Sequence, residues 1–364
     1  MVQVERMIRN LCEMVQISSE SGEEKEFLEF LYKKFTDELK AKCQFDDYGN
    51  LIAKIQAKSC NLNNISPLFF AMHADTVKPG KGIKPKIQDG FVISSGDTIL
   101  GADCKAGIAE FIEAIQSASN FPPLELVITR EEEVGFRGVK NLDFNLISAK
   151  QGFLLDMDVL DKIVIGGPSH MFVDIEIIGK SAHAGMEPEK GISAIQTAAK
   201  AIAIIKDGRI DPETTSNIGI IQGGIIRNGV PEKVVINAEV RSLNHKKCLL
   251  ISQIMKELFE VTAKTTGAKA EVILNLAYKA HRIPDDSPMI KIAKEALENV
   301  GIKAQTITIT GGLESAIYNE KGIETIPLGN GVQNEHSTSE KVAISDMETV
   351  VKVLHYIFNY FCIS

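Results

Sequence analysis

Between residues 51 and 155, short apolar runs are punctuated by an apolar helical run. Leu51 to Ile55, Leu68 to Met72, Leu124 to Thr129 and Phe153 to Leu155 read as strands, and Gly107 to Ala118 as a helix. Such alternation predicts a largely parallel sheet covered by helices. Two further helices open the chain. Val4, Met7, Ile8, Leu11, Cys12 and Val15 share one helical face, and the segment SSESGEE then places Ser21 three residues ahead of Glu24, a capping-box pattern that begins a second amphipathic run.

After GGPSH the texture changes. Val173 to Ile178 alternates as a strand, Ala194 to Ile205 is helical, Ile218 to Gln222 and Val234 to Val240 are strands, Leu250 to Thr265 is helical, and Ala270 to Leu274 is a strand. This strand, helix, strand, strand, helix, strand order matches a ferredoxin-like α+β sandwich. AHRIPDDSP reads as the return linker. Helix Met289 to Val300, strand Ala304 to Ile309, helix Leu313 to Asn319, strand Thr325 to Pro327 and helix Asp346 to Phe361 then resume the first texture. The expectation is one domain built from residues 1–168 and 282–364, with residues 169–281 inserted as a second.

Composition narrows the function. The 364 residues carry 40 Lys plus Arg against 48 Asp plus Glu, and the net charge of −8 repels phosphate backbones. No basic stripe with interleaved aromatics offsets that charge, so no nucleic-acid partner is expected. No stretch approaches the roughly 18 apolar residues needed to cross a bilayer, and the N-terminus is charged within a few residues, so a cytoplasmic protein without a membrane partner is expected. The six cysteines, Cys12, Cys43, Cys60, Cys104, Cys248 and Cys362, form no CxxC pair and read as free thiols in a reducing compartment.

The chemistry sits at strand ends, because in open α/β sheets ligands occupy the crevice beyond the carboxyl ends of the parallel strands. Leu68 to Met72 runs into His73 and Asp75; Leu124 to Thr129 runs into Glu131, Glu132 and Glu133; Phe153 to Leu155 runs into Asp156 and Asp158. Asp103 precedes a helix, and His336 lies in a glycine-flanked loop. Taken singly, a loop histidine is usually solvated and an aspartate before a helix usually a cap. Their convergence argues otherwise, since so much buried negative charge needs a compensating cation. Imidazole with carboxylate and no thiolate suits Zn²⁺, Mn²⁺ or Co²⁺. Two such ions need a shared carboxylate, for which Asp103 is the candidate. Asp75 can accept the ring N–H of His73. Of Glu132 and Glu133, which an extended chain would point apart, one can be a ligand and the other a general base.

The motifs MHADTV, GDTILGADCKAGIA, EEEVGFRG, LLDMD, GKSAHAG with EKGISAI, GGIIRNGVPEKVVINAEVRS and NEHSTSE resemble, in order, those of the di-zinc exopeptidases and deacylases that include peptidase T and carboxypeptidase G. The peptidase T-like tripeptidases are the nearest in style. The resemblance runs from His73 to Glu340, with SGEE near Ser21 also fitting. It implies an α/β, phosphorylase/hydrolase-like mixed sheet flanked by helices, with an inserted ferredoxin-like lid and dimerisation domain. It implies His73, Asp103 and Asp156 around one metal, Asp103, Glu133 and His336 around the other, and Glu132 as catalytic base; Asp75, as the partner that fixes the His73 tautomer, is counted with the catalytic residues. Asp156 is preferred to Asp158 because it follows the strand directly. The Asp103–Cys104 peptide is expected to be cis. In the inserted domain His183 would polarise the scissile carbonyl, reaching the site from a partner subunit or after domain closure, while Asn228 and Arg241 would hold the substrate carboxylate, a task that suits the planar fork of arginine.

One departure is visible: many relatives have a serine or threonine and an aspartate after the Gly-Gly pair, where this chain has GGLES, so Glu314 fills the acidic position with one more methylene. His170, His245, His281 and His355 match no motif and are read as structural; Cys104 is read as a packing residue. The expected reaction is hydrolysis of a peptide bond in a small peptide by water activated between two metal ions, zinc first with cobalt or manganese as alternatives, in a homodimer. The rivals are a deacylase of N-acyl amino acids on the same metal residues, a silent metal-binding scaffold, which the filled ligand positions oppose, and a nucleotide site at GGLES or LGNG, which fits neither glycine fingerprint.

Overall fold

The computed structural model describes residues 1–60 and 66–363. Two compact units emerge, one formed by Met1–Ile165, Ile283–Thr308 and Leu313–Ser364, the other by Gly166–Arg282 with Ile309–Gly312.

In the first unit a six-stranded sheet runs in the order Lys42–Phe45, Leu51–Ile55, Leu124–Thr129, Leu68–His73, Gln151–Met157, Glu324–Gly329. The four strands from Leu124–Thr129 onward are parallel, and the two at the other edge are antiparallel, so the sheet is mixed. Strands Leu68–His73 and Leu124–Thr129 are buried at every position, as central strands covered on both faces must be. Helix Lys105–Ser117 packs between Val4–Gln16 and Ile344–Ile363, and its near-continuous apolar sequence is accounted for by burial all round. At Gly152 the strands approach so closely that a Cβ would lie 1.9 Å from the Phe69 carbonyl oxygen.

The N-terminal capping expectation is corrected. The second helix spans Lys25–Leu39 with Glu24 at its cap position, and no side chain caps it. Ser21 instead donates its hydroxyl to Asp75 Oδ2 at 2.7 Å, and the Glu24 carboxylate accepts the N–H groups of Gly22 and Glu131. Tertiary partners outcompete the local cap. Two of the six cysteines lie side by side: Cys60 and Cys362 have Cα atoms 5.0 Å apart, within the reach of a disulfide, while Cys12, Cys43, Cys104 and Cys248 stand apart from any other cysteine. Strand Leu51–Ile55 and helix Ile344–Ile363, both apolar, carry the chain to these two sites, which no local spacing could pair.

The second unit is an antiparallel sheet in the order Gly208–Asp211, Thr214–Gly223, Lys233–Ser242, Ser169–Ile178, Lys269–Tyr278. Met171, Val173, Ile175 and Ile177 alternate inward from Ser169–Ile178, meeting helices Ala194–Ile202 and His245–Thr266 in a separate core. Ser193 and Asn244 cap these helices through their side-chain oxygens. This is the ferredoxin-like arrangement with Gly208–Asp211 added as an edge strand. Among the described residues no helix is long and apolar enough to cross a membrane.

Candidate metal centre

His73 is the last residue of strand Leu68–His73, and Asp156 lies near the end of its parallel neighbour Gln151–Met157, so both reach the same edge of the sheet. Asp103 stands just before helix Lys105–Ser117, and the Asp103–Cys104 peptide is cis. His336 follows strand Val332–Gln333 in a turn where its φ is +60°. His73 Nε2 lies 3.5 Å from Asp103 Oδ1 and 3.4 Å from Asp156 Oδ1. His336 Nε2 lies 3.4 Å from Asp103 Oδ2 and 2.9 Å from Glu133 Oε1. The two oxygens of Asp103 therefore face two different imidazoles. Among the described residues, donor atoms gather within 4.8 Å in three groups: His73, Asp103, Cys104 and Asp156; His73, Glu132 and Glu133; and Asp103, Glu133 and His336. Asp158 instead accepts the N–H of Val159 at 2.9 Å.

Cys104 is fully buried, its Sγ donates to the Leu155 carbonyl at 2.8 Å, and burial pushes its thiol well up, so it offers a packing contact and a weak ligand. The carboxylates show what the site wants. Burial opposes ionisation of Asp103, but His336 and His73 outweigh it and hold the carboxyl below its usual range. Burial pushes Asp156 up to about 6, Glu132 well above the carboxylate range and Glu314 up to about 8. Hydrogen bonds to Asp103 and Glu133 raise His336 to about 11. Crowded buried carboxylates that must protonate, beside imidazoles that must charge, are the signature of donors short of positive charge. An oxygen and imidazole donor set with that shortage fits divalent metal ions of the zinc, cobalt or manganese kind.

Asp75 does something other than the sequence suggested. His73 Nδ1 meets the Asp75 backbone carbonyl at 2.9 Å, while the carboxylate oxygen stands 3.6 Å away, beyond a hydrogen bond. The carboxylate instead accepts the backbone N–H of Glu132 at 2.8 Å, that of Glu133 at 3.2 Å and the Ser21 hydroxyl. Glu131 adopts a left-handed φ of +50°, and Gly135 and Phe136 N–H groups return to the Glu132 carbonyl. The chain is thus turning and not extended here, which is why Glu132 and Glu133 both gather beside His73 instead of pointing apart. The Glu131 carboxylate is taken by the Tyr48 hydroxyl and by Arg137. Glu314 is fully buried and accepts from Thr129 Oγ1 at 2.9 Å through one oxygen.

The second unit holds the remaining candidates. His183 is exposed, and its Nδ1 accepts the N–H groups of Gly185 at 3.2 Å and Met186 at 3.1 Å. With Nδ1 accepting, the ring proton sits on Nε2, which is then the donor nitrogen. Asn228 is exposed, and its carbonyl accepts Ala184 N–H at 2.9 Å, tying its loop to that of His183. Arg241 forks onto Glu239 at 3.0 and 3.1 Å and reaches the Thr310 carbonyl at 3.5 Å, while His170 shares the same Glu239 at 2.8 Å. His170 and His245, which bonds Ser169, are structural in this geometry; so is His355, within reach of Ser117 and the Ala114 carbonyl. His281 is pushed down to about 4 by burial.

The sequence pattern of the M20 peptidase dimerisation domain matches residues 166–266. Two solved structures align over the whole chain. Aminopeptidase PepT from Bacillus cereus is 39% identical with a TM-score of 0.90, covering 99% of each chain, and a tripeptidase from Staphylococcus aureus is 33% identical with a TM-score of 0.94, covering 100% of each. The chain belongs to the M20 peptidase family, close to peptidase T. The uncharacterised protein YqjE of Bacillus subtilis is also similar, 38% identical over 97% of this chain and 99% of its own length. In this M20 peptidase several supporting residues escaped sequence reasoning. Lys105 is 1% exposed and donates to the carbonyls of Met14 and Ile17, the last turn of the first helix. Glu24, fully buried, pairs with Arg130 at 3.0 Å. Lys105 opens a helix that also carries Glu110 and Glu113, so its charge alone did not mark it, and Glu24 was read only as half of a capping box.

Proposed function

We propose that this M20 peptidase hydrolyses small peptides, tripeptides first, releasing the N-terminal amino acid in a metal-dependent reaction. The observation that carries the reading is the placement of Asp103 between two imidazoles, each with a further carboxylate, which is the donor arrangement a pair of ions sharing one ligand requires. The names borne by the PepT and tripeptidase relatives support the substrate class. His73, Asp103 and Asp156 would hold one ion, and Asp103, Glu133 and His336 the other, with zinc the first candidate. When bound, such ions supply Lewis acidity, easing ionisation of water and drawing charge from a carbonyl.

The chain's own groups do the rest. Glu132, presented by the turn that Asp75 holds, takes a proton from the attacking water and returns it to the departing amine. His183, with its proton on Nε2, donates to the carbonyl oxygen as charge develops there. Asn228 and Arg241 hold the substrate carboxylate, which offers Arg241 a second acidic partner beside Glu239. The unit that contains residues 169–281 serves as lid and as the contact between two copies of the chain. Its matched dimerisation pattern supports this, as do the exposed apolar residues Leu250, Ile254 and Val261 on one helix.

The test is metal analysis of the purified protein combined with release of free amino acid from a tripeptide panel and from N-acetyl amino acids, with and without chelator. Two equivalents of divalent metal and chelator-sensitive cleavage of tripeptides are expected. Cleavage of N-acyl amino acids alone, or tripeptide cleavage indifferent to chelator after the metal has been removed, would reject the proposal.

A further inference from the structure

Glu340 lies four positions beyond His336, is 2% exposed and has no part in the chemistry above. Its Oε2 accepts the N–H of Gly101 at 2.7 Å, and its Oε1 accepts those of Ala102 at 2.7 Å and Asp103 at 3.0 Å. Three successive amides thus converge on one carboxylate, a concave backbone arrangement suited to an anion. Gly101 makes the turn possible: its φ is +66°, and a Cβ there would stand 3.2 Å from Ile83 and 3.3 Å from Thr76. On its own side Glu340 closes a turn, its N–H returning to the Ser337 carbonyl at 3.1 Å. One side chain therefore ties the main chain that presents Asp103 to the loop that presents His336, with Asp103 and Glu340 separated by 237 positions in the sequence.

We propose that Glu340 is a positioning residue: by fixing the Gly101–Asp103 backbone against the His336 loop, it sets the spacing at which Asp103 and His336 meet a shared cation. This rests on the reading of those two residues as metal ligands. A carboxylate is needed because both oxygens must accept. In Glu340→Gln the amide nitrogen would face a backbone N–H, donor against donor, at one of the three bonds. Glu340→Asp keeps two acceptors but retracts them by one methylene. Outer partners that orient ligands typically contribute 10–100-fold to metal affinity.

The experiment uses the full chain, stripped with chelator, as wild type, Glu340→Gln and Glu340→Asp, with Asp103→Ala as the ligand-loss reference. Thermal melting of the metal-free proteins is followed by circular dichroism, and Co²⁺ affinity is measured by competition with a chromophoric chelator while the visible Co²⁺ spectrum is recorded. Glu340→Gln is expected to melt cooperatively close to wild type yet bind Co²⁺ about 10–100-fold more weakly with shifted visible bands. Glu340→Asp should lose less. Wild-type affinity and spectrum in Glu340→Gln would overturn the proposal, as would unfolding of both metal-free variants, which would make the carboxylate a structural tie alone. Weaker binding in Asp103→Ala without any in Glu340→Gln would leave the metal reading standing and remove this one. A wild-type chain that takes up no Co²⁺ would overturn both.

Discussion

Glu132 differs from Glu133 in what surrounds it. Burial drives its carboxyl well above the usual range and Asp156, Glu133 and Glu314 add to that, whereas Glu133 is committed to His336 at 2.9 Å. Of the two carboxylates, Glu132 is the proposed proton carrier because it has no imidazole at bonding distance, while Glu133 does. Glu132→Gln is therefore expected to keep wild-type metal content, read by atomic emission, while kcat for a tripeptide falls by about 10²–10⁴. Activity within a few-fold of wild type would remove Glu132 from the role. At this scale the sequence was informative about what ends a strand and silent about what holds it. His73, Glu132, Glu133 and Asp156 are visible because they end predicted strands, Asp103 and His336 because they stand before a helix and in a glycine-flanked loop, and their sorting into ligands and base came from the resemblance. The contacts of Asp75 and Glu340 are to backbone amides, which look the same at every residue, so only the folded geometry reveals them.

Strands Leu68–His73 and Gln151–Met157 carry His73 and Asp156, and their spacing depends on Gly152 opposite Phe69. A methyl group there would have to displace backbone, since the atom it meets is the Phe69 carbonyl oxygen. Gly152→Ala is expected to destabilise by about 3 kcal/mol, the upper end of overpacking costs, in urea unfolding followed by circular dichroism. A loss below roughly 0.5 kcal/mol, the usual range for surface changes, would mean the strands part without cost. The central strands were readable because LFFAMH and LELVIT are apolar throughout. The hairpin Pro85–Gln88 and Phe91–Ser94 was not read, because its half-exposed residues give neither a full apolar run nor clean alternation. The mixed sheet was legible only through the resemblance and not in the residue pattern, because period-two patterning reports which face is buried and carries no information about strand direction.

Each unit has its own apolar core, one running from Met7 to Phe358 and the other from Met171 to Val272. The metal donors all belong to the first unit. Adding Zn²⁺ to chelator-stripped protein at about 100 times its dissociation constant should stabilise that unit by about 2.7 kcal/mol. Hydrogen exchange followed by mass spectrometry should then slow in residues 68–157 and leave the sheet of residues 169–278 unchanged. Equal protection of both units would show that they open together. The change of texture near residue 168 and the return near residue 282 made a two-part organisation legible; the attachment of Ile309–Gly312 to the second unit was not, because four residues carry no periodicity. The order of strands has a further consequence for synthesis on the ribosome. Strand Glu324–Gly329 pairs with Gln151–Met157, although the entire second sheet is encoded between them. A nascent chain can close that second sheet first, while the first sheet waits with one flank of amides and carbonyls unpaired until residues 324–329 emerge.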